Sequence, residues 1–292
     1  TTSKGTVIAA ADQRNTHWSD WGNIDTVVRR STDNGLTWED PIDVIDLKSQ
    51  SYFSGTQSAY TIDPAMIAED ENGKNPGRVW MLVDMFPEST NGSQGTWSIK
   101  ETGTGYVKVD GKDYLSLYDK DNNQYTLREN GEVFDKDNQK TDYVVKQFEG
   151  NDEQGYHEKG DLYKSGEYVG NIYLRSTSKN NDSAPLHPTQ TCYLWLSYSD
   201  DDGVTWSDPV DITPQVKADW MRFCGVGPGF GVQLQYDEEH PGRLVFPIYY
   251  TIAGSGIGFQ SSACIYSDDG GKTWHRGESP NDGRINKDGQ ET

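Results

Sequence analysis

The stretch "DQRNTHWSDWGNID", residues 12 to 25, concentrates the side chains best suited to chemistry. It places Arg14, Trp18, Trp21 and three carboxylates, Asp12, Asp20 and Asp25, in one short connection. "TVIAA" before it and "TVVRR" after it read as strands, so the segment is a loop at one end of a sheet. A loop with two large aromatics and mixed charge is unusual unless it folds down over something. The competing reading is an ordinary solvated loop pinned by Trp18 and Trp21, and the residue types alone leave both open.

Other stretches suggest metal or nucleotide chemistry and do not have the spacing for it. "STDNGLTW", residues 31 to 38, opens like a calcium loop at Asp33, but an aromatic closes it where oxygen ligands should follow. "DKDNNQ" at Asp119 and "DKDNQK" at Asp135 pose the same question. An EF-hand needs Gly at loop position six and Glu at twelve; from Asp119 those positions hold Gln124 and Asn130. Both tracts read as hairpin turns. "GVGPGFG", residues 225 to 231, is followed by the strand "VQLQY" and not by a helix, so it too is a turn. His17, His157, His187, His240 and His275 are scattered, and neither a metal nor a cofactor is expected. Asn91 and Asn181 stand in glycosylation sequons, matches that arise often by chance.

The elements that must position the loop are marked by a repeat. "STDNGLTW" starts at Ser31, "SDDDGVTW" at Ser199 and "SDDGGKTW" at Ser267, all of the form S-x-D-x-G-x-T-W. The repeated positions are Ser31, Asp33, Gly35 and Trp38, then Ser199, Asp201, Gly203 and Trp206, then Ser267, Asp269, Gly271 and Trp274. Each octet follows a short β-prone run, "TVVRR", "LWLSY" or "SACIY". The glycine can take positive φ in the turn, and Ser and Asp can accept hydrogen bonds from the turn's own N–H groups. The Trp of each octet, Trp38 included, is then expected to fill the space between adjacent sheets. Strand, fixed turn and closing Trp, repeated, indicate blades.

Ser267 lies 68 residues after Ser199, whereas Ser199 lies 168 after Ser31, so an insertion separates the first two octets. Residues 101–185 are polar, rich in Tyr and read as short strands joined by tight turns, including Asp110-Gly111 and Asn130-Gly131. The expected organisation is blades over 1–100, a β-rich insertion domain over 101–185, and further blades over 186–292. The 292 residues contain 9 Trp, 17 Tyr and 31 Gly with only 33% hydrophobic residues, which suits an all-β, turn-rich protein. A net charge of −20 argues against a nucleic-acid or anionic-membrane partner, and an anionic ligand would need a local Arg cluster. Three distant cysteines, Cys192, Cys224 and Cys264, define no disulfide framework, and no apolar run reaches transmembrane length.

With these residues in view, the chain resembles the bacterial exo-α-sialidases of glycoside hydrolase family 33. S-x-D-x-G-x-T-W is similar to their "Asp box", and "DQRNTHWSDWGNIDTVVRRSTDNGLTW" looks like their first blade. The resemblance continues through "IDPAMI", "VDMFPES", "KADWMRFCGVGPGFG" and "FQSSACIYSDDGGKTW", and so covers nearly the whole chain. It implies a six-bladed β-propeller of sialidase type, about half of it present, with a small inserted β domain. It further implies sialylated glycans as partners and a secreted or cell-surface location.

Carried over residue by residue, the resemblance makes Asp20 the acid/base carboxylate. Arg14 and Asp63 match residues that face the bound sugar, and Gln260 matches a polar residue near its N-acyl and glycerol side. Met85, Phe86 and Trp97 fall in the stretch that shapes the pocket's apolar wall, and the octets lie on the face opposite the sugar. Such enzymes retain configuration through a Tyr nucleophile with a Glu partner, while three Arg residues clamp the substrate carboxylate. That pair and that clamp are expected outside these residues, so the chain is read as part of a catalytic domain, inactive alone. Two alternatives stand beside hydrolysis: an intramolecular trans-sialidase releasing a 2,7-anhydro sugar, with Trp97 crowding the leaving side, or a non-catalytic carbohydrate-binding propeller.

Overall fold

The computed structural model describes residues 1–48, 58–89, 99, 101–147, 158–175, 183–252 and 260–281. The chain opens with β1 (Val7–Arg14), β2 (Ile24–Ser31) and β3 (Ile42–Ile45), which form a three-stranded antiparallel sheet in that order. A second sheet begins with β4 (Tyr60–Ala68) and β5 (Val79–Phe86). Between β5 and its next partner the chain builds β6 (Tyr106–Val109), β7 (Lys112–Tyr118), β8 (Gln124–Leu127), β9 (Glu132–Asp135) and β10 (Lys140–Val145). β11 (Asp161–Lys164) and β12 (Glu167–Asn171) complete this meander, and the short β13 (His187–Pro188) adds to it beside β7.

The second sheet then resumes with β14 (Tyr193–Ser199) and β15 (Val210–Asp211), giving the order β15-β14-β5-β4. After a single helical turn, α1 (Thr213–Val216), come β16 (Met221–Gly225), β17 (Gly229–Phe230) and β18 (Val232–Gln233). β17 runs parallel to β4 at the edge of the second sheet. The third sheet is β16-β19-β20-β21, with β19 (Leu244–Ile252), β20 (Gln260–Ser267) and β21 (His275–Arg276).

Alternation along β5 explains how the sheets stack. Val79, Met81, Val83 and Met85 enter the core shared with Val28 and Val44 of the first sheet and with the inserted strands. Trp80 and Leu82, on the other face, enter the core shared with Phe246, Ile248 and Ile265 of the third sheet. β5 is therefore apolar on both faces, as a strand between two neighbouring sheets must be. The inserted strands contribute Leu115, Leu117, Val145 and Leu162 to the first of these cores, so the insertion is packed against the blades.

The three octets fold alike. In the first, Ser31 Oγ accepts the Gly35 N–H at 2.8 Å, and Asp33 accepts from Thr37 N at 2.9 Å and Thr37 Oγ1 at 2.6 Å. The same bonds recur at Asp201 with Thr205 and at Asp269 with Thr273. Hydrogen bonds from the Thr37 side chain and backbone, then from Ser31, pull the Asp33 carboxyl down to about 2. Its oxygens serve the turn, and no calcium loop forms there. Gly35, Gly203 and Gly271 take φ of 86°, 83° and 80°, and a Cβ on Gly271 would strike Trp80.

The second and third octets dock on the sheet that precedes each of them. Asp202 accepts from Thr2 Oγ1 and Thr6 Oγ1 at 2.6 Å each, and its carbonyl accepts from Arg30 Nε at 2.9 Å. Trp206, only 6% exposed, lies in the core between the first and second sheets. Trp274, 1% exposed, meets Trp80 with ring centroids 6.5 Å apart. Trp38 departs from expectation: it is 39% exposed and fills no gap, because no sheet precedes its own among the described residues.

Candidate active site

The 12–25 segment lies at the end of the blades opposite the octets. β1 and β2 run antiparallel from Val7 beside Ser31 to Arg14 beside Ile24, so the octet and the loop sit at opposite ends of one hairpin. The loop is closed by Asn15 N–H to the Asn23 carbonyl at 3.0 Å, and Asn15 Nδ2 donates to the Asp25 carboxylate. The Trp21 and His17 rings are 4.2 Å apart, and Trp21 folds onto a cluster of Ile24, Tyr60, Phe86 and Phe223. Trp18 stays 87% exposed, so of the two aromatics only Trp21 pins the loop.

Alternation on β1 aims Asp12 and Arg14 the same way, toward the second sheet. Arg14 donates to Asp12 at 3.1 Å, to the Trp18 carbonyl at 3.0 Å and to Asp20 at 2.8 Å. Asp20 remains 82% exposed, whereas Asp12 is 13% exposed. The Asp63 side arrives through a bulge in β4: the register with β5 shifts between Ile62 and Ala65, and Asp63 adopts φ 60°. Its backbone N–H donates to Asp12 at 3.0 Å, tying the two blades together under Arg14. Pro64 follows, tolerated because a bulge needs no ladder hydrogen bond there.

The carboxylates share one electrostatic environment. Burial, reinforced by the charges of Asp12 and Asp20 and opposed by Arg14, raises Asp63 to about 6. Burial also raises Asp12, more than its bonds from Asp63 and Arg14 lower it. Asp84 lies deeper, 1% exposed, accepting the Val226 N–H at 2.8 Å. Burial, and then the charges of Asp63 and Asp12, push it well above the carboxylate range. One accessible acid, one cation and a graded set of carboxyls below them can deliver a proton to a bound ligand and take it back. Among the described residues no group of three or more His, Cys, Asp or Glu could hold a metal ion.

Gln260 is exposed at the start of β20, opposite Thr251 at this same end of the third sheet. Phe86 stacks on Tyr60 at 5.2 Å in the layer beneath Trp21. Met85 cannot shape a pocket wall: it is 0% exposed and points into the core of the first two sheets, on the face away from Asp84 and Phe86. Trp97 lies outside the described residues. Sequence reasoning assigned no role to Asp12 or Asp84. The signal for Asp84 was one acid inside the otherwise apolar strand "VWMLVDMF".

Comparison with known proteins places this arrangement. Residues 2–287 match the family described as BNR repeat-like domain. An anhydrosialidase of Macrobdella decora is 32% identical, over 96% of this chain and 38% of its own length. Sialidase B of Streptococcus pneumoniae is 26% identical, over 94% of this chain and 40% of its own. Among solved structures, the intramolecular trans-sialidase of Ruminococcus gnavus, in complex with oseltamivir carboxylate, superimposes with a TM-score of 0.74 at 28% identity, covering 94% of this chain and 58% of that one. The chain thus spans about two fifths of the length of the two sequence relatives. The three stacked sheets are part of a sialidase-type propeller, and the chain belongs to the BNR repeat-like domain family, in its sialidase group.

Proposed function

We propose that this chain supplies the acid/base side of an exo-sialidase that removes terminal sialic acid from glycoconjugates. The observation that carries the reading is Asp20, an accessible carboxylate held at 2.8 Å by Arg14 above Asp12 and Asp63. In this reading Asp20 protonates the glycosidic oxygen as the bond breaks and later takes a proton from the attacking hydroxyl. Arg14 orients Asp20 and, with Asp63, lines the sugar site, with Gln260 at its rim. The Tyr nucleophile, its Glu partner and the Arg clamp belong to sequence outside residues 1–292. The anionic substrate is drawn by that clamp against a chain charge of −20. Secretion or surface display, a bacterial source and the Asp-box role of the octets are parts of the same proposal. The test is turnover of a fluorogenic sialoside by the full-length protein; undiminished activity in Asp20→Ala overturns the assignment.

A second reading keeps the site and changes the acceptor. Two of the similar proteins carry the names anhydrosialidase and intramolecular trans-sialidase. If this protein shares their reaction, the substrate's own glycerol arm attacks in place of water. Mass spectrometry of the product of 3′-sialyllactose separates the two: a 2,7-anhydro sugar supports the second reading, and hydrated sialic acid alone excludes it.

A further inference from the structure

The insertion leaves the blades after Phe86 and returns at Tyr193, which pairs with Met85. Asp84 and the Asp63 bulge occupy this same end of the second sheet, so the inserted strands rise from the face that carries the candidate site. Between them and the blades runs a groove of about 1190 Å³. That exceeds the ~300–1,000 Å³ of most small-molecule sites and suits an extended ligand.

Strand alternation gives the groove a polar floor. Leu115 and Leu117 of β7 point into the core, while Ser116 and Tyr118 take the opposite face and line the groove. Gln124 stands across from Tyr118 on β8, donating to Tyr118 Oη and Ser116 Oγ at 3.2 Å each. The junction is locked by Arg175, which donates to the Glu88 carbonyl at 3.1 Å and the Pro188 carbonyl at 2.8 Å. The groove is therefore pre-formed, and a ligand need not order it.

Its charge selects the ligand. Glu101, Asp119, Asp121 and Asp219 line it against two cations, Lys120 and the backbone-bonded Arg175. An acidic wall repels a carboxylated sugar. Carboxylates, an amide and tyrosines suit the hydroxyls and apolar faces of uncharged sugars.

We propose that the groove between the inserted strands and the blades binds the neutral sugars that precede the terminal sialic acid in the glycan. The inference rests on the sialidase reading for its substrate, but binding of a neutral sugar is measured without catalysis. The probe is lacto-N-tetraose, a neutral tetrasaccharide, titrated into the full-length protein by saturation-transfer NMR and calorimetry. Saturable binding is expected, weakened at least tenfold by Tyr118→Ala and also by Gln124→Ala, whose truncation at the groove surface leaves the core intact. Both variants should turn over a small fluorogenic sialoside at the wild-type rate while raising KM for a sialylated tetrasaccharide. Absence of binding by the wild type, or binding indifferent to both substitutions, overturns the groove assignment. Failure of the sialidase reading looks different: no sialoside is cleaved by any form, whatever the neutral-sugar titration gives.

Discussion

Arg14 grips the Asp20 carboxylate at 2.8 Å, yet leaves it 82% exposed. An acid held this way is oriented without being withdrawn from a ligand. In the full-length protein Asp20→Asn should lower kcat on a fluorogenic sialoside by ~10²–10⁴, the usual reach of a general acid/base. The melting temperature should barely move, because an exposed ion pair contributes only ~0–1 kcal/mol. A variant that loses its fold along with its activity would contradict this division between chemistry and stability.

Asp63 gives a pH signature of known sign. Its carboxyl is raised in the folded state to about 6, from an ordinary 3.8. The folded protein therefore holds that proton more tightly than the unfolded one. The stabilisation is complete below pH ~4 and is lost as pH rises through about 6. Asp63→Asn removes this contribution while keeping a residue that tolerates positive φ. The difference in unfolding free energy between wild type and variant should shift by ~2–3 kcal/mol from pH 4 to pH 7, at ~1.4 kcal/mol per pKa unit. A difference that stays flat across that interval refutes the assignment.

The octet tryptophans should divide by their neighbours and not by their motif. Trp206 and Trp274 are 6% and 1% exposed, Trp38 39%. Trp206→Ala and Trp274→Ala should each cost ~3–5 kcal/mol in urea unfolding, as large core truncations do. Trp38→Ala, at the same place in an identical turn, should cost ~1 kcal/mol or less. Equal losses at all three positions would mean that the turn, and not the sheet-to-sheet contact, sets their contribution.

That contrast marks what the sequence reveals and what it hides. The octet turns were legible because the bonds that shape the turn close within four residues, as between Asp33 and Thr37. The regular spacing of the octets breaks where β6 to β13 separate β5 from its partner β14. Facing was not legible: Asp84, Met85 and Phe86 are consecutive, and only the register with β4 and β14 decides which of them points toward Asp63. A one-residue change of face separates a buried carboxyl from a core methionine. The bulge that aims Asp63 is likewise invisible in "TIDPAMI", although Pro64 hints that the ladder is interrupted there. A motif carries its local bonds but not its neighbouring sheet, so Trp38 lies 39% exposed where the octet predicts a buried ring.

Asp84 separates the cost of losing a charge from the cost of losing a hydrogen bond. Its carboxyl is buried and held well above the carboxylate range, and its Oδ1 accepts the Val226 N–H at 2.8 Å. Asp84→Asn keeps the acceptor and removes a group whose ionisation the interior opposes, so stability at pH 7 should hold or rise slightly. Asp84→Ala strands the Val226 N–H and should cost ~1–3 kcal/mol, the penalty of an unsatisfied buried donor. The gap should widen with pH in favour of Asn over Asp, because a raised carboxyl loses stabilisation as pH climbs toward its folded pKa. Chemical unfolding of the three proteins at pH 5 and pH 8 checks both orderings. If Asn proves as damaging as Ala, Asp84 is ionised in the fold, and the graded carboxyl set beneath Arg14 must be redrawn.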